Sequence, residues 1–262
     1  MKLGLERRAS PRTDGIDIKT PEEIEGIAGA GAIAVDTLRT LERELRPGVT
    51  TAELDAIAHR YITSCGATPT CKGYRGYPAS ICASPNHLVV HGIPGSYALQ
   101  DGDLITLDLA VTHDGWIADT ARTFVVGSSS SQARALLATT ETALAAGVER
   151  CRPGGHLGDV SHAVQQVAEG AGFTVLRELR GHGVGRQLHE PPMIANYGRP
   201  GTGPTLVSGM VLALEPMISA GSPWIRRSAD GWSVFCADDA LTAHCEFTVA
   251  ITDTGPRVLT PW

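Results

Sequence analysis

Two aspartates that flank a glycine turn constrain the fold of this chain more than any other feature. Asp108 and Asp119 lie on either side of Asp114-Gly115, within an apolar and β-branched stretch that spans residues 104–124. Asp-Gly is a favoured hairpin turn, so the two flanks are predicted to be antiparallel strands. Side chains alternate along a strand, and residues opposite one another across a hairpin share a face.

Two registers fit this hairpin, and both bring the aspartates to one face. A turn centred just before Asp114 places Asp108 directly opposite Asp119. A turn centred on Asp114-Gly115 pairs Asp119 with Ala110 and leaves Asp108 diagonal to it. Two like charges about 5–8 Å apart in a half-buried sheet are unfavourable unless a positive charge lies between them. The hairpin therefore predicts a bound cation.

Three later segments each offer one matching ligand. His182 lies in a glycine-rich stretch where the backbone can approach a site closely, and this stretch is predicted either as a turn or as one of the strands after the helices of the second half. Glu215 and Glu246 each stand alone inside a short apolar strand, and a buried charge needs a partner. Four carboxylates and one imidazole suit two divalent ions such as Co, Mn, Fe or Zn, bridged by carboxylates as in hydrolytic two-metal sites.

Composition and cysteine usage predict one cytoplasmic domain. A chain of 262 residues with 42% hydrophobic content can bury a single large core. The net charge of −6 and the scattered basic residues argue against nucleic-acid binding. Apolar runs stay well short of the ~18 residues that suggest a membrane span, and the start has no apolar signal core. Six cysteines occur singly, without a Cys-x-x-Cys pair, which is typical of reduced thiols in a cytosol.

Helix signals recur in two halves of the chain. Thr20 followed by Pro21 and Glu23 reads as a capped helix start, and Arg-Pro-Gly follows the first helix of each half. A serine run at 128–131 is interpreted as a cap and turn. We predict a flexible segment over residues 1–18 and a single domain over 19–262. The predicted helices are Pro21–Leu45, a second that starts at Thr50 or Thr51, Ser131–Arg150 and Leu157–Ala171.

In the order and spacing of its five candidate ligands, the chain resembles the type I methionine aminopeptidases of metallopeptidase family M24. The resemblance covers almost the whole chain, from about residue 20 to about residue 259. The further matching motifs are Ser80–Asn86, Val90–Pro94, Gly181–Pro191 and Tyr197–Gly203.

The resemblance implies an α+β fold of the pita-bread type. Two pseudo-symmetric halves would share a curved antiparallel sheet covered by helices, and two divalent metal ions would lie between the halves. It also implies a monomeric cytoplasmic enzyme that removes the N-terminal methionine of nascent proteins when the second residue is small. Association with ribosomes is a further expectation, whereas direct binding of nucleic acid or membranes is not expected.

The resemblance assigns a role to each candidate ligand. Asp119 and Glu246 would bridge both ions, Asp108 would complete the coordination of one ion, and His182 with Glu215 would complete the other. Glu215 is also placed to shuttle a proton, because a carboxylate that touches both metal and nucleophile can do so.

Two more histidines and a side-chain pocket follow from the same resemblance. His91 matches the family histidine near the scissile nitrogen, and His189 matches the one that binds the substrate carbonyl. Aromatic and sulfur-containing side chains suit a flexible, polarizable methionine. For Cys71 ordinary core packing remains an equal alternative. The predicted pocket residues are Cys71, Tyr74, Tyr77, Cys82 and Trp232.

Several positions depart from the family pattern without removing a ligand. The chain also lacks the N-terminal zinc-binding extension and the helical insertion of other branches, so it resembles the short bacterial form. Metal preference, substrate range and rate are open. The departures are Arg75 in place of histidine, Ala118 in place of glycine, Leu188 in place of an aromatic residue, His244-Cys245 in place of glutamine and an aromatic residue, and Phe247 in place of histidine.

Two alternatives remain at this point. One is a pita-bread peptidase that cleaves before proline, although those enzymes usually carry an additional N-terminal domain. The other is a non-catalytic binding protein that keeps the fold, although such relatives generally lose ligands.

Overall fold

The computed structural model describes residues 12–13 and 15–262 of the chain. Four α-helices lie within these residues, and in three of them the side chain of the N-cap residue accepts from a backbone N–H of the first turn. Thr20 accepts from the backbone N–H of Glu23, whose carboxylate accepts from the N–H of Thr20. Thr50 and Glu53 repeat this capping box, and the cap and turn predicted in the serine run is confirmed at Ser130. The helices are α1 Pro21–Glu42, α2 Thr51–Ser64, α3 Ser131–Arg150 and α4 Leu157–Gly170.

The first helix is shorter than predicted. It ends at Glu42 rather than Leu45, and the N–H groups of Glu44 and Leu45 turn back to carbonyls three residues earlier. Proline disfavours helical backbone at the residue before it, so Pro47 sets the latest possible end at Leu45. The tightened turn formed by the Glu44 and Leu45 N–H groups ends the α-helix before that point. Gly48 then adopts a φ of +94°, which reverses the chain towards α2.

The strands pair antiparallel throughout the described residues. One sheet has the order β3-β6-β4 with β7 also paired to β6, and a larger sheet has the order β10-β9-β11-β16-β17. The strands are β1 Arg12–Thr13, β2 Ile16–Asp17, β3 Thr68–Pro69, β4 Cys82–Pro85, β5 Leu88–Val90, β6 Leu104–His113, β7 Trp116–Val125, β8 Thr174–Val175, β9 Arg180–Gly183, β10 Glu190–Ala195, β11 Val211–Leu214, β12 Met217–Ser219, β13 Ile225–Arg227, β14 Val234–Cys236, β15 Thr242–His244, β16 Phe247–Thr252 and β17 Gly255–Val258.

Threonine side chains join these two sheets between β7 and β16. The Thr248 hydroxyl donates to the carbonyl of Asp119 (2.8 Å) and accepts from the N–H of Asp119 (3.0 Å). The Thr120 hydroxyl donates to the carbonyl of Glu246 at 2.9 Å, and Ala121 forms an isolated β-bridge with Glu246. The junction of the two halves therefore carries two of the predicted metal ligands on adjoining backbone.

Each half buries its own helix pair against its own sheet. In the first half, α1 and α2 share a core with β6; in the second, α3 and α4 share one with β11 and β16. Helices covering antiparallel sheets in two related halves agree with the predicted fold. Representative fully or nearly fully buried members are Leu38, Leu54 and Leu107 in the first half, and Leu144, Val160 and Leu212 in the second.

The predicted flexible segment, residues 1–18, lies largely outside the described residues, which exclude 1–11 and 14. Ile16 belongs to the described part and packs into the core of the second half. The single domain over 19–262 stays a prediction. None of the helices in the described part of the chain is long and apolar enough to cross a membrane.

Candidate metal centre and substrate pocket

The Asp108/Asp119 hairpin adopts the second of the two registers considered. Ala110 pairs with Asp119, and Asp108 pairs with Ala121, so the aspartates are diagonal neighbours on one face. The turn lies at Asp114 and Gly115, whose φ angles are +50° and +75°. Positive φ at both central residues is the type I′ geometry that Asp-Gly favours, and this geometry sets the register.

The two glutamates lie beside their strands rather than inside them, so that part of the prediction is wrong. Glu215 follows the last residue of β11, and Pro216, which has no N–H to donate, stops the ladder after it. Glu246 lies between β15 and β16, where its backbone pairs with Ala121 of the other sheet. Both acids therefore sit where the backbone leaves one sheet.

His182 lies in strand β9, so its assignment to a strand after the second-half helices is confirmed and the glycine-rich turn is not formed there. The glycines on either side of it allow the neighbouring backbones to come close. A Cβ on Gly181 would lie 2.4 Å from the carbonyl oxygen of Ala213, and a Cβ on Gly183 would lie 2.2 Å from the carbonyl oxygen of Pro191. The strand can therefore pack tightly between β10 and β11, which fixes the His182 backbone at the site.

The five predicted ligands converge on one place. His182 Nε2 lies 3.5 Å from Glu215 Oε1 and 3.8 Å from Asp119 Oδ2. Ligand atoms of Asp119, His182 and Glu246 all lie within 4.8 Å of one another. His182 Nδ1 donates to the carbonyl of Gly183 at 2.9 Å, which leaves the Nε2 lone pair directed at the acids. Asp108 lines the same cavity.

Burial and mutual repulsion make this acid cluster unstable as free carboxylates. Burial raises the pKa of Asp108, Glu215 and Glu246 well above the usual range, and neighbouring carboxylates raise it further. Burial also raises the pKa of Asp119 to about 6. Among the described residues, Asp119 Oδ1 and Glu246 Oε1 have no hydrogen-bond partner. Buried, unpartnered carboxylate oxygens opposite an oriented imidazole fit divalent metal ions.

Two further histidines face the cluster as neutral imidazoles. Burial lowers the pKa of His91 and of His189 to about 4. The proximity of another histidine and of an arginine lowers each pKa further, while Asp119 partly opposes this at His189. His189 Nδ1 shares a 2.8 Å hydrogen bond with the Tyr74 hydroxyl, and its ring lies 4.2 Å from that of His182. The backbone of His91 has a φ of +60°, a strained conformation for a non-glycine residue.

The pocket residues predicted from the sequence line the same cavity as the ligands. Its volume of about 170 Å³ far exceeds the ~10–15 Å³ that one water needs, so it can receive a side chain. Tyr77 is held by its hydroxyl, which donates to the carbonyls of Ile81 (3.1 Å) and Gly92 (2.9 Å). Its ring meets that of Trp232 edge-on at 5.0 Å. The lining also includes Cys71, Tyr74, Cys82, Arg75 and Leu188.

Sequence reasoning missed a buried ion pair that supports the His189 loop. Lys19 contacts Glu190, and both side chains are only 5% exposed. The other carboxylate oxygen of Glu190 accepts from the N–H groups of Arg186 (2.8 Å) and Gln187 (2.9 Å). Glu190 directly follows His189, so the pair fixes the loop that presents this histidine. No local sequence pattern predicts this ion pair, because the partners are 171 residues apart.

His244 was recognised only as a departure from the family pattern. The structure places its buried imidazole beside two predicted ligands, with Nε2 3.9 Å from Glu215 Oε2 and 3.9 Å from Glu246 Oε2. A usable signal was present, because His244 stands two residues before Glu246 and such residues tend to share a face.

Comparison with known proteins agrees with this geometry. The model of metallopeptidase family M24 matches residues 25–253, and the chain belongs to this family. Members named methionine aminopeptidase are among its most similar relatives. That of Clostridium perfringens is 48% identical, over 94% of this chain and 98% of its own length.

Solved structures show the same fold. The methionine aminopeptidase of Rickettsia prowazekii superimposes with a TM-score of 0.93 at 40% identity, covering 94% of this chain and all of that one. The prolidase of Pyrococcus furiosus superimposes with a TM-score of 0.77 at 26% identity, but only 65% of its length is covered. The predicted pita-bread α+β architecture is therefore confirmed.

Proposed function

We propose that this protein is a metal-dependent aminopeptidase that removes the N-terminal methionine of nascent proteins whose second residue is small. The observation that carries the proposal is the cavity, which joins an acid-and-imidazole cluster to a pocket of aromatic and sulfur-containing side chains. Relatives named methionine aminopeptidase align with nearly the whole chain, which supports the same activity.

We assign two divalent ions to the five ligands. Asp119 and Glu246, on the backbone junction between the halves, would hold both ions; Asp108 would hold one, and His182 with Glu215 the other. Divalent ions held there would supply an activated water as the nucleophile near neutral pH, because such ions lower the pKa of water towards ~7. Co, Mn, Fe and Zn all fit this donor set.

The protein groups around the ligands supply proton transfer and orientation. Glu215 is suited to accept a proton from the nucleophile and return it to the leaving amine, because a carboxylate that would touch both the metal and the nucleophile can carry the proton between them. His189 is held through Nδ1 by Tyr74, which leaves Nε2 to hydrogen-bond the substrate carbonyl. His91 lines the same cavity, where an imidazole N–H can stabilise the scissile nitrogen.

The side-chain pocket favours methionine. Tyr77 and Trp232 give it a rigid aromatic wall, and Cys71 with Cys82 adds polarizable sulfur. Leu188 replaces an aromatic residue in this wall, and a pocket discriminates one methylene by only about 1–3 kcal/mol. We therefore expect leucine and norleucine to be accepted at reduced rates.

A panel of peptides tests the assignment against the prolidase alternative, because a prolidase shares the fold at lower similarity. Met-Ala-Ser, Met-Lys-Ser, Leu-Ala-Ser and Ala-Pro-Ser would be incubated with purified protein, each with and without Mn²⁺, Co²⁺, Fe²⁺ and Zn²⁺. Metal-dependent release of methionine from Met-Ala-Ser should be fastest. Faster cleavage of Ala-Pro-Ser, or equal rates on Met-Ala-Ser and Met-Lys-Ser, would rule the proposal out. No hydrolysis with any metal would favour a non-catalytic paralogue.

We further propose that the protein acts as a cytoplasmic monomer that meets its substrates as they leave the ribosome. The substrate class supports this, since initiator methionine is exposed first on nascent chains. Light scattering should give the mass of one chain, 27.5 kDa. Co-sedimentation with ribosomes that carry nascent chains tests the encounter; equal recovery with chain-free ribosomes would show that the nascent chain is not what recruits it.

A further inference from the structure

His244 is a buried imidazole beside the candidate metal ligands. It ends strand β15 and is only 1% exposed. Within the described part of the chain, neither ring nitrogen makes a hydrogen bond. One carboxylate oxygen of Glu215 and one of Glu246 each lie 3.9 Å from Nε2. A buried polar group without a partner destabilises the fold, so we expect this imidazole to form a hydrogen bond when the site is occupied.

The surroundings favour a donor role over a ligand role. His182 uses Nδ1–H on a backbone carbonyl, so its Nε2 lone pair is free to bind metal. No carbonyl engages His244 Nδ1 in this way among the described residues. A neutral imidazole carries one N–H and one lone pair, and a carboxylate can only accept. Nε2–H directed at the two carboxylates is therefore the complementary arrangement.

The backbone holds the imidazole in place. The Thr123 hydroxyl accepts from the N–H of His244 at 2.9 Å and donates to its carbonyl at 2.8 Å. Met217 pairs with His244 across the sheet. Glutamate side chains are longer and more mobile than this anchored ring. A shift of about 1 Å by either carboxylate would bring its oxygen within normal hydrogen-bond distance of about 2.9 Å.

We infer that His244 is a positioning residue of the metal centre, which donates Nε2–H to the carboxylates of Glu215 and Glu246 when these hold metal. The inference rests on the proposed ligand assignment. Carboxylates that bind metal are themselves usually hydrogen-bonded, and loss of such a partner typically lowers metal affinity 10–100-fold. This chain thus supports its metal ligands through an imidazole at a position where the family usually has glutamine.

Calorimetric titration of metal-free protein with Mn²⁺ tests the inference. His244→Leu should bind Mn²⁺ about 10–100-fold more weakly, whereas His244→Gln, which keeps an N–H donor, should stay within about threefold of the parent protein. Cys245→Ala is the matched control, because this neighbour packs into the core of the second half. It should lower thermal stability and leave Mn²⁺ affinity unchanged. Unchanged affinity in His244→Leu, or equal loss in His244→Gln, would overturn the inference.

Nitrogen NMR of the unmodified protein provides an independent test if His244→Leu does not fold. Protein with ¹⁵N-labelled histidine would be recorded metal-free and with Zn²⁺, and the spectrum of His244→Gln would identify the His244 signals. We expect Nε2 to carry the proton and its resonance to shift on Zn²⁺ addition. A deprotonated Nε2, or a resonance that Zn²⁺ leaves unchanged, would contradict the role. Because these experiments measure binding, a peptide panel without hydrolysis would reject the proposed function alone.

Discussion

The buried ion pair between Lys19 and Glu190 makes a quantitative prediction for Lys19→Met. Both side chains are 5% exposed, so removal of the cation strands a buried carboxylate, a change that typically costs about 3–5 kcal/mol. Two backbone N–H groups still donate to Glu190, which places the expected cost near the lower end, about 3 kcal/mol. At about 2–4 °C per kcal/mol for a chain of this size, the midpoint of thermal unfolding should fall by ~6–12 °C.

Differential scanning calorimetry of metal-free protein at pH 7 measures this change, with two companion variants. Arg39→Met breaks an ion pair with Asp36 whose side chains are 53% and 52% exposed, and should shift stability by less than about 0.5 kcal/mol. The double variant Lys19→Met/Glu190→Gln removes both charges, keeps an acceptor for the N–H groups of Arg186 and Gln187, and should recover most of the loss. A midpoint for Lys19→Met within 1 °C of the parent would correspond to a loss of about 0.5 kcal/mol or less in the free energy of unfolding. That result would refute the reasoning.

Three further predictions concern the site. His91→Ala should reduce kcat about 10²–10⁴-fold on Met-Ala-Ser while metal content by atomic emission stays unchanged; loss of metal would instead make His91 a ligand. Leu188→Phe should raise the methionine-to-leucine ratio of kcat/KM by about 10-fold or more, and an unchanged ratio would exclude Leu188 from the pocket wall. Because burial raises the pKa of Asp119 to about 6, its carboxyl is largely protonated at pH 5 and must lose that proton to bind metal. Mn²⁺ affinity should therefore rise between pH 5 and pH 7, with proton release by calorimetry; a flat profile would contradict the raised pKa.

Local chemistry explains what the sequence predicts well. Both capping boxes lie within four consecutive residues, so the starts of α1 and α2 can be predicted from the sequence. The pairs are Thr20 with Glu23 and Thr50 with Glu53. The Asp-Gly turn encodes the hairpin, and its preference for positive φ selects the register that pairs Ala110 with Asp119. The resemblance of the motifs to a known family predicts that the five dispersed ligands share one site, which composition alone cannot predict.

What the sequence does not reveal depends on contacts between distant segments. Glu215 and Glu246 look like strand residues, but Pro216 and the bridge to Ala121 take their backbones out of the ladders. Lys19 reads as an ordinary polar residue before a helix, and only the fold brings Glu190 to it. The spacing of two residues between His244 and Glu246 indicates that their side chains can share a face. The sequence cannot show that neither ring nitrogen of His244 has a hydrogen-bond partner among the described residues.

Hydrolysis of Met-Ala-Ser by exhaustively metal-free protein tests the central claim most directly. The central claim is that four clustered carboxylates bind divalent ions, and that these ions are needed for peptidase activity. The carboxylates are those of Asp108, Asp119, Glu215 and Glu246. The stripped protein should release no methionine above the uncatalysed rate, and stepwise addition of Mn²⁺ should restore activity. Full activity without metal would contradict the account.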